Sequence, residues 1–218
     1  AVAALAEAGA TVVDATLPMF DELTQACMIT MAVEAFAFHR AWMAERWGDY
    51  GLGMRSWVGT GALYTAADYA QAQKVRRIGA AALAELFSTV DLMAMPTCAA
   101  GSPSYDGLDM GAIVDLIYTP YWNPVGCPVL SVPMGLGATG MPLSLSIAGP
   151  AFADGLVLQA GDAFQRHDLI ASGQDPIHRP TLVLAQMGRG LLDRLACHAA
   201  GERPIGLLTG AHGVDGVA

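Results

Sequence analysis
The chain has 218 residues and a formal net charge of −9, which argues against the basic surface that a phosphate backbone requires, and no nucleic-acid partner is expected. Hydrophobic residues make up 54% and charged residues only 14%, but the apolar runs are rich in alanine and are broken by Glu34, Glu85 and Asp162. None reaches the roughly 18 residues of a membrane span, and close-packed helices around a well-buried core are expected instead.

Residues 1–8 read as the end of a helix, closed by Gly9 in the position that favours a left-handed backbone. An opening on half a helix leads to the expectation that the chain is cut from something longer. Residues 11–17 read as a strand stopped by Pro18. A long helical region is predicted from about Asp21 to Trp47, with Met28, Met31, Phe36 and Phe38 among its apolar positions. Residues 50–60 are punctuated by glycine and read as a loop, which carries Arg55. The next helix starts at Thr65, whose hydroxyl can cap it while Asp68 completes a capping box. It runs to about Phe87 with Tyr69, Ala72, Val75, Ile78, Leu83 and Leu86 as its apolar stripe. Residues 91–96 (DLMAMP) form a short apolar strand ended by proline. Residues 129–133 and 143–148 are two further strands, and residues 154–167 are a helix with Leu156, Val157, Ala160 and Phe164 on its apolar side. This alternation predicts an α/β fold with a sheet covered by helices.

The charge is unevenly spread. Residues 1–175 carry 7 Lys/Arg against 17 Asp/Glu, a net of −10, whereas residues 176–218 carry 4 against 3, a net of +1. Four cysteines, Cys27, Cys98, Cys127 and Cys197, lie far apart with no C-x-x-C pair. A zinc site and a dense disulfide framework are therefore unsupported, and reduced thiols in a cytoplasmic protein are expected.

The stretch from Thr119 to Gly149, TPYWNPVGCPVLSVPMGLGATGMPLSLSIAG, carries most of the functional information. It sets Asn123 and Gly126 among prolines, which is how a loop holds one shape beside a ligand. Within it, GLGATG formally matches a dinucleotide fingerprint, but that motif needs a helix to follow, and here an alternating strand follows. A turn between two strands is predicted, and no nucleotide cofactor. Cys127 would need a nearby base to act as a nucleophile, and none of the five histidines stands in a partner motif. Lys74, Arg76 and Arg77 form a small basic cluster that is expected to pair with surface acids or helix carbonyls. No Gly-Gly pair, Ser-Ser pair or G-x-S-x-G elbow marks a reactive serine, so no catalytic residue and no metal ligand is assigned.

The order of segments resembles the C-terminal part of the amidase signature family. The matching pieces are GATVVDATLP (9–18), the acidic helix around Glu34, Arg55 four residues before Gly59, DYAQAQKVR (68–76), VDLMAMPT (90–97), TPYWNPVGCPVLSVPMG (119–135), MPLSLSIAG (141–149) and a closing helix through Phe164. The resemblance implies a mixed sheet covered by helices. It also implies hydrolysis of amides, or release of ammonia in transamidating relatives, by a serine nucleophile, a bridging serine and a lysine base. All three are expected upstream of Ala1, since Lys74 belongs to the AQKVR helix and does not match the family lysine. By the same resemblance, Thr119 and Asn123 match a Thr-x-x-x-Asn step beside the substrate pocket. Arg55 matches an arginine that holds a substrate carboxylate in transamidating relatives. Those relatives also place an aspartate three residues before the threonine, where this chain has Leu116, with Asp115 one residue out of register. The departure favours a general amidase.

Residues 1–174 are thus expected to be the C-terminal part of an amidase domain without its catalytic part, and residues 175–218 a divergent or poorly ordered tail. The expected substrate-pocket residues are Arg55, Thr119 and Asn123, the expected partner is a small-molecule amide, and the assembly is left open between monomer and homodimer. The alternatives are a non-catalytic scaffold that keeps the fold, or an amidotransferase A subunit.

Overall fold
The computed structural model describes residues 1–103, 105–106, 116–170 and 183–186, the last four and residues 167–170 by their backbone alone. Asp115, Cys197 and most of the expected tail lie outside the described residues.

Helix α1 (Val2–Glu7) ends as its sequence predicts. Gly9 takes φ 97° and donates its N–H to the Ala6 carbonyl, while Ala10 donates to Leu5. These two bonds satisfy carbonyls that the helix leaves free. A short strand β1 (Asp14–Thr16) follows, then α2 (Phe20–Glu45), a 26-residue helix that buries Leu23, Ala26, Cys27, Ala32 and Met43.

The glycine-rich stretch after it is helical, not a loop. Helix α3 (Leu52–Thr60) contains Gly53 and Gly59 but buries Val58 completely. Tertiary packing against α2 outweighs the roughly 1 kcal/mol that each helical glycine costs. Helix α4 (Ala66–Leu86) has the predicted capping box: Asp68 N–H donates to Thr65 Oγ1 at 3.2 Å, and Thr65 N–H donates to Asp68 Oδ2 at 2.8 Å. Its buried stripe is Ala72, Gly79 and Leu83, and Ile78 is 57% exposed. The stripe follows Gly79 because a Cβ there would lie 2.5 Å from Leu23 Cδ2 of α2. Gln73 Nε2 to Thr30 Oγ1 (3.1 Å) and Tyr69 OH to Glu34 Oε1 (2.8 Å) tie the same two helices.

The remaining elements are β2 (Met93–Pro96), β3 (Val129–Leu136), β4 (Pro142–Ala148), α5 (Asp154–Ile170) and β5 (Val183–Gln186). The sheet order is β1-β5-β2-β4-β3. Pairings β1–β5 and β5–β2 are parallel, whereas β2–β4 and β4–β3 are antiparallel, so the sheet is mixed. The GLGATG segment is the hairpin turn between β3 and β4. Gly135 and Gly140 take φ 116° and 76°, and Gly137 N–H closes onto the Met141 carbonyl at 2.8 Å.

Strand alternation gives this sheet two different faces. Leu92, Ala94, Val132, Leu145 and Ile147 pack with Val157, Ala160 and Phe164 of α5 and with Leu5 of α1. The opposite face is apolar at Met93 and Met95 but carries Thr97, Ser131, Ser144 and Ser146 further along. No helix among the described residues is long and apolar enough to cross a membrane.

Candidate functional site
The polar face of the sheet is overlaid by the segment that runs from Leu116 to Pro128. Two backbone bonds seat it on the end of β2: Ala99 N–H to the Leu116 carbonyl (2.7 Å) and Tyr118 N–H to the Thr97 carbonyl (3.0 Å). Pro120 fits the single turn Thr119–Tyr121 because its fixed φ suits the start of a helix and it needs no N–H partner there. Tyr121 is fully buried, stacks on Phe20 at 5.1 Å between ring centroids, and donates its OH to the Pro18 carbonyl at 3.0 Å. Burial of this phenol holds its pKa far above the ordinary range.

Two long-range contacts fix the rest of the segment from behind. Arg76 Nε of α4 donates to the Pro124 carbonyl at 2.7 Å, while its Nη1 donates to Gln73 Oε1 at 2.8 Å. The basic cluster therefore does not simply pair with surface acids or with carbonyls of its own helix: Arg76 crosses to a loop 48 residues away. Asn123 Nδ2 donates to Cys27 Sγ of α2 at 3.8 Å, a weak contact that orients the amide.

Between this segment and the sheet lies a cleft of about 410 Å³, lined by Thr119, Trp122, Asn123, Gly126, Cys127, Val129, Ser131 and Ser146. The structure brings Thr119 and Asn123 together in its wall. It does not bring Arg55 there. The Arg55 guanidinium donates to the carbonyls of Tyr50 (2.6 Å) and Gly48 (3.1 Å) and lies 5.4 Å from the centre of the Trp47 ring, where it closes the turn between α2 and α3.

Sequence reasoning missed a cluster of four hydroxyls on the sheet, two of which, Ser131 and Ser146, line the cleft. Thr97 and Ser146 hydroxyls are 2.8 Å apart, Ser144 Oγ donates to Thr97 Oγ1 at 2.7 Å, and Ser131 and Ser144 are 2.8 Å apart. The signal was present in LSLSIAG, because serines two apart on a strand share a face. None of the lining side chains carries a full charge at neutral pH. Cys127 is the one lining group with a thiol, and burial pushes its pKa up, so it stays protonated. Cys27 behind Asn123 is likewise raised by burial, against smaller opposite pulls from the Asn123 hydrogen bond and the Arg76 charge. Chemically, the described lining residues offer hydroxyls, an amide and an indole, and none of them is a charged group or a base beside the thiol.

Comparison with known proteins agrees with this geometry. The amidase family profile matches residues 1–158, which include every residue that lines the cleft. An amidase of Pseudomonas putida is 30% identical over 187 residues, 78% of this chain and 40% of that protein. The A subunit of the glutamyl-tRNA(Gln) amidotransferase of Rhodospirillum rubrum is 38% identical over 120 residues, 50% of this chain and 23% of that one. The chain thus spans less than half the length of these relatives. Among solved structures, a bacterial aryl acylamidase of the amidase signature family superposes with a TM-score of 0.59 at 21% identity, over 80% of this chain and 42% of its own. An allophanate hydrolase of Kluyveromyces lactis superposes with 0.65 at 20% identity, over 75% of this chain and 28% of its own. These likenesses show the fold, and the profile match through sheet, hairpin and cleft wall shows the kinship: the chain belongs to the amidase signature family.

Proposed function
We propose that the intact protein hydrolyses a carbon–nitrogen bond of a small-molecule amide, and that this chain supplies the sheet and one wall of the substrate pocket without the Ser-Ser-Lys machinery. One observation carries the reading: the family match runs unbroken through the residues that build the cleft. The cleft supports a binding role and not a chemical one, because no described lining residue pairs a nucleophile with a base. Thr119 and Asn123 are the pocket residues of this reading. Between the two family chemistries, a general amidase fits better than release of ammonia from glutamine. Glutamine carries an ammonium and a carboxylate, and Arg55, the expected carboxylate partner, is engaged by the Tyr50 and Gly48 carbonyls. The test is release of ammonia from simple amides. The purified 218-residue chain is expected to give only background, and a longer form of the protein that contains a Gly/Ser-rich nucleophile segment is expected to turn over. Turnover by the 218-residue chain that survives repurification would overturn the assignment of roles.

A further inference from the structure
The segment that walls the cleft holds Trp122 in one place. The Trp122 backbone N–H donates to the Thr119 carbonyl at 3.1 Å, and its carbonyl accepts from Val125 N–H at 3.3 Å, so the residue sits in two successive turns. Arg76 holds the Pro124 carbonyl two residues further on. The Tyr121 ring lies across the indole, with 4.8 Å between ring centroids and 80° between planes. Trp122 lines the cleft yet is only 3% exposed. Among the described residues, its indole Nε1 is the one buried side-chain nitrogen or oxygen without a hydrogen-bond partner.

Folded chains rarely leave such a group unmatched, because a buried donor without an acceptor has given up its bond to water for nothing. An aromatic face such as that of Tyr121 is only a weak acceptor. A trapped water needs two or more polar partners to stay. We propose that Trp122 is a specificity-determining residue, whose indole N–H receives an acceptor atom on the part of the substrate remote from the bond that is cleaved. This rests on the amidase reading and narrows it to amides that carry a second, uncharged acceptor, such as a heteroaromatic ring nitrogen. The remoteness follows from the cleft itself: no described lining residue pairs a nucleophile with a base, so the body of the substrate, not its reacting bond, meets this wall. The acceptor is uncharged because no described lining side chain carries a positive charge to offset the desolvation of an anion. The net charge of −9 also repels anions at longer range. Val129 and the indole itself give apolar surface to the ring that bears the acceptor. Most hydrogen bonds formed on binding replace one to water, but this donor is already closed off from water, so the new bond adds most of its full worth. The same closure means that the indole turns towards the cleft as the ligand enters, a side-chain adjustment common on binding.

The experiment is an NMR titration of the 218-residue chain that follows its indole N–H signals, with benzamide, nicotinamide and isonicotinamide as probes. The last two differ from benzamide only in a ring nitrogen. The chain has four tryptophans, and the Trp122 signal is the one that disappears in Trp122→Phe. The better of the two pyridine amides should bind at least about tenfold more tightly than benzamide, the worth of one added hydrogen bond. It should also move the Trp122 signal downfield, which benzamide should not do. In Trp122→Phe, which keeps an aromatic ring but has no donor, the ratio of the two affinities should fall to about one. The downfield shift is read in the unaltered chain, so it stands even where Trp122→Phe disturbs the fold. Equal affinities, a preference that survives in Trp122→Phe, or a Trp122 signal unmoved by both pyridine amides overturns the specificity site, and benzamide binding then leaves the amide cleft standing. Failure of all three probes to bind overturns both. A Trp122-dependent preference for the ring nitrogen, combined with absence of ammonia release from any longer form, sinks the hydrolytic reading alone.

Discussion

At the scale of single residues, one of the long-range hydrogen bonds that hold the cleft wall comes from a charged side chain. Arg76 reaches from α4 to the Pro124 carbonyl at 2.7 Å and is steadied by Gln73, which in turn donates to Thr30 of α2. A guanidinium can make these two directed bonds at once, whereas an ammonium donates from a single point. Arg76→Ala removes a charged donor from a half-buried carbonyl and is expected to destabilise the chain by about 2 kcal/mol. Arg76→Lys should recover only part of that. Urea unfolding measures the loss, and limited proteolysis should show earlier cleavage near residues 119–128 in the alanine variant. The sequence announced a basic cluster at Lys74, Arg76 and Arg77, but it held no information on which carbonyl 48 residues away would receive it. For the same reason Thr119 and Asn123 were legible as loop residues among prolines, while the hydroxyl cluster at Thr97, Ser131, Ser144 and Ser146 was not. Its members come from β3, β4 and the residue that follows β2, and their meeting depends on register.

At the scale of elements, the local signals were sufficient wherever local chemistry decides the outcome. The capping box at Thr65 and Asp68, the terminal glycine at Gly9 and the glycine turn between β3 and β4 were all legible, because each is a contest between a few neighbouring groups. They failed where packing decides. Residues 50–60 read as a loop from their glycines, yet the buried Val58 draws them into α3. Ile78 read as core, yet the α2–α4 contact passes through Gly79 instead. That contact can be tested. Gly79→Ala gains about 1 kcal/mol of helix propensity but brings a methyl group to 2.5 Å from Leu23 Cδ2, a side chain with no exposure. Overpacking a closed interface costs about 1–3 kcal/mol. The net effect is expected to be a lower thermal midpoint, and Leu23→Ala in the same chain should reverse its sign by making room. A higher midpoint for Gly79→Ala alone would mean that the helices separate freely.

At the scale of the whole molecule, acidity and burial combine to set the alkaline limit of stability. Burial pushes up the thiols of Cys27, Cys98 and Cys127 and the phenols of Tyr118 and Tyr121. In each of these groups the folded chain holds its proton at a pH at which the unfolded chain has begun to release it. The folded state then binds more protons than the unfolded state, so stability falls as pH rises. The contribution is complete below the unfolded thiol value of about 8.5 and is lost as pH climbs towards the raised folded values, with the phenols adding to the loss above about 10. Each proton held in this way is worth at most about 1.4 kcal/mol per pH unit. Ionisation also adds negative charge to a chain already at −9, which increases its self-repulsion. The midpoint of urea unfolding is therefore expected to be flat from about pH 7 to about 8.5 and to drop between about 9 and 10.5. Replacing Cys27, Cys98 and Cys127 with alanine should flatten the first part of that drop and leave the later, tyrosine-driven part in place. An unfolding midpoint that holds constant to about pH 10.5 in the unaltered chain would show that the thiols beneath the cleft wall ionise as freely as they do in water.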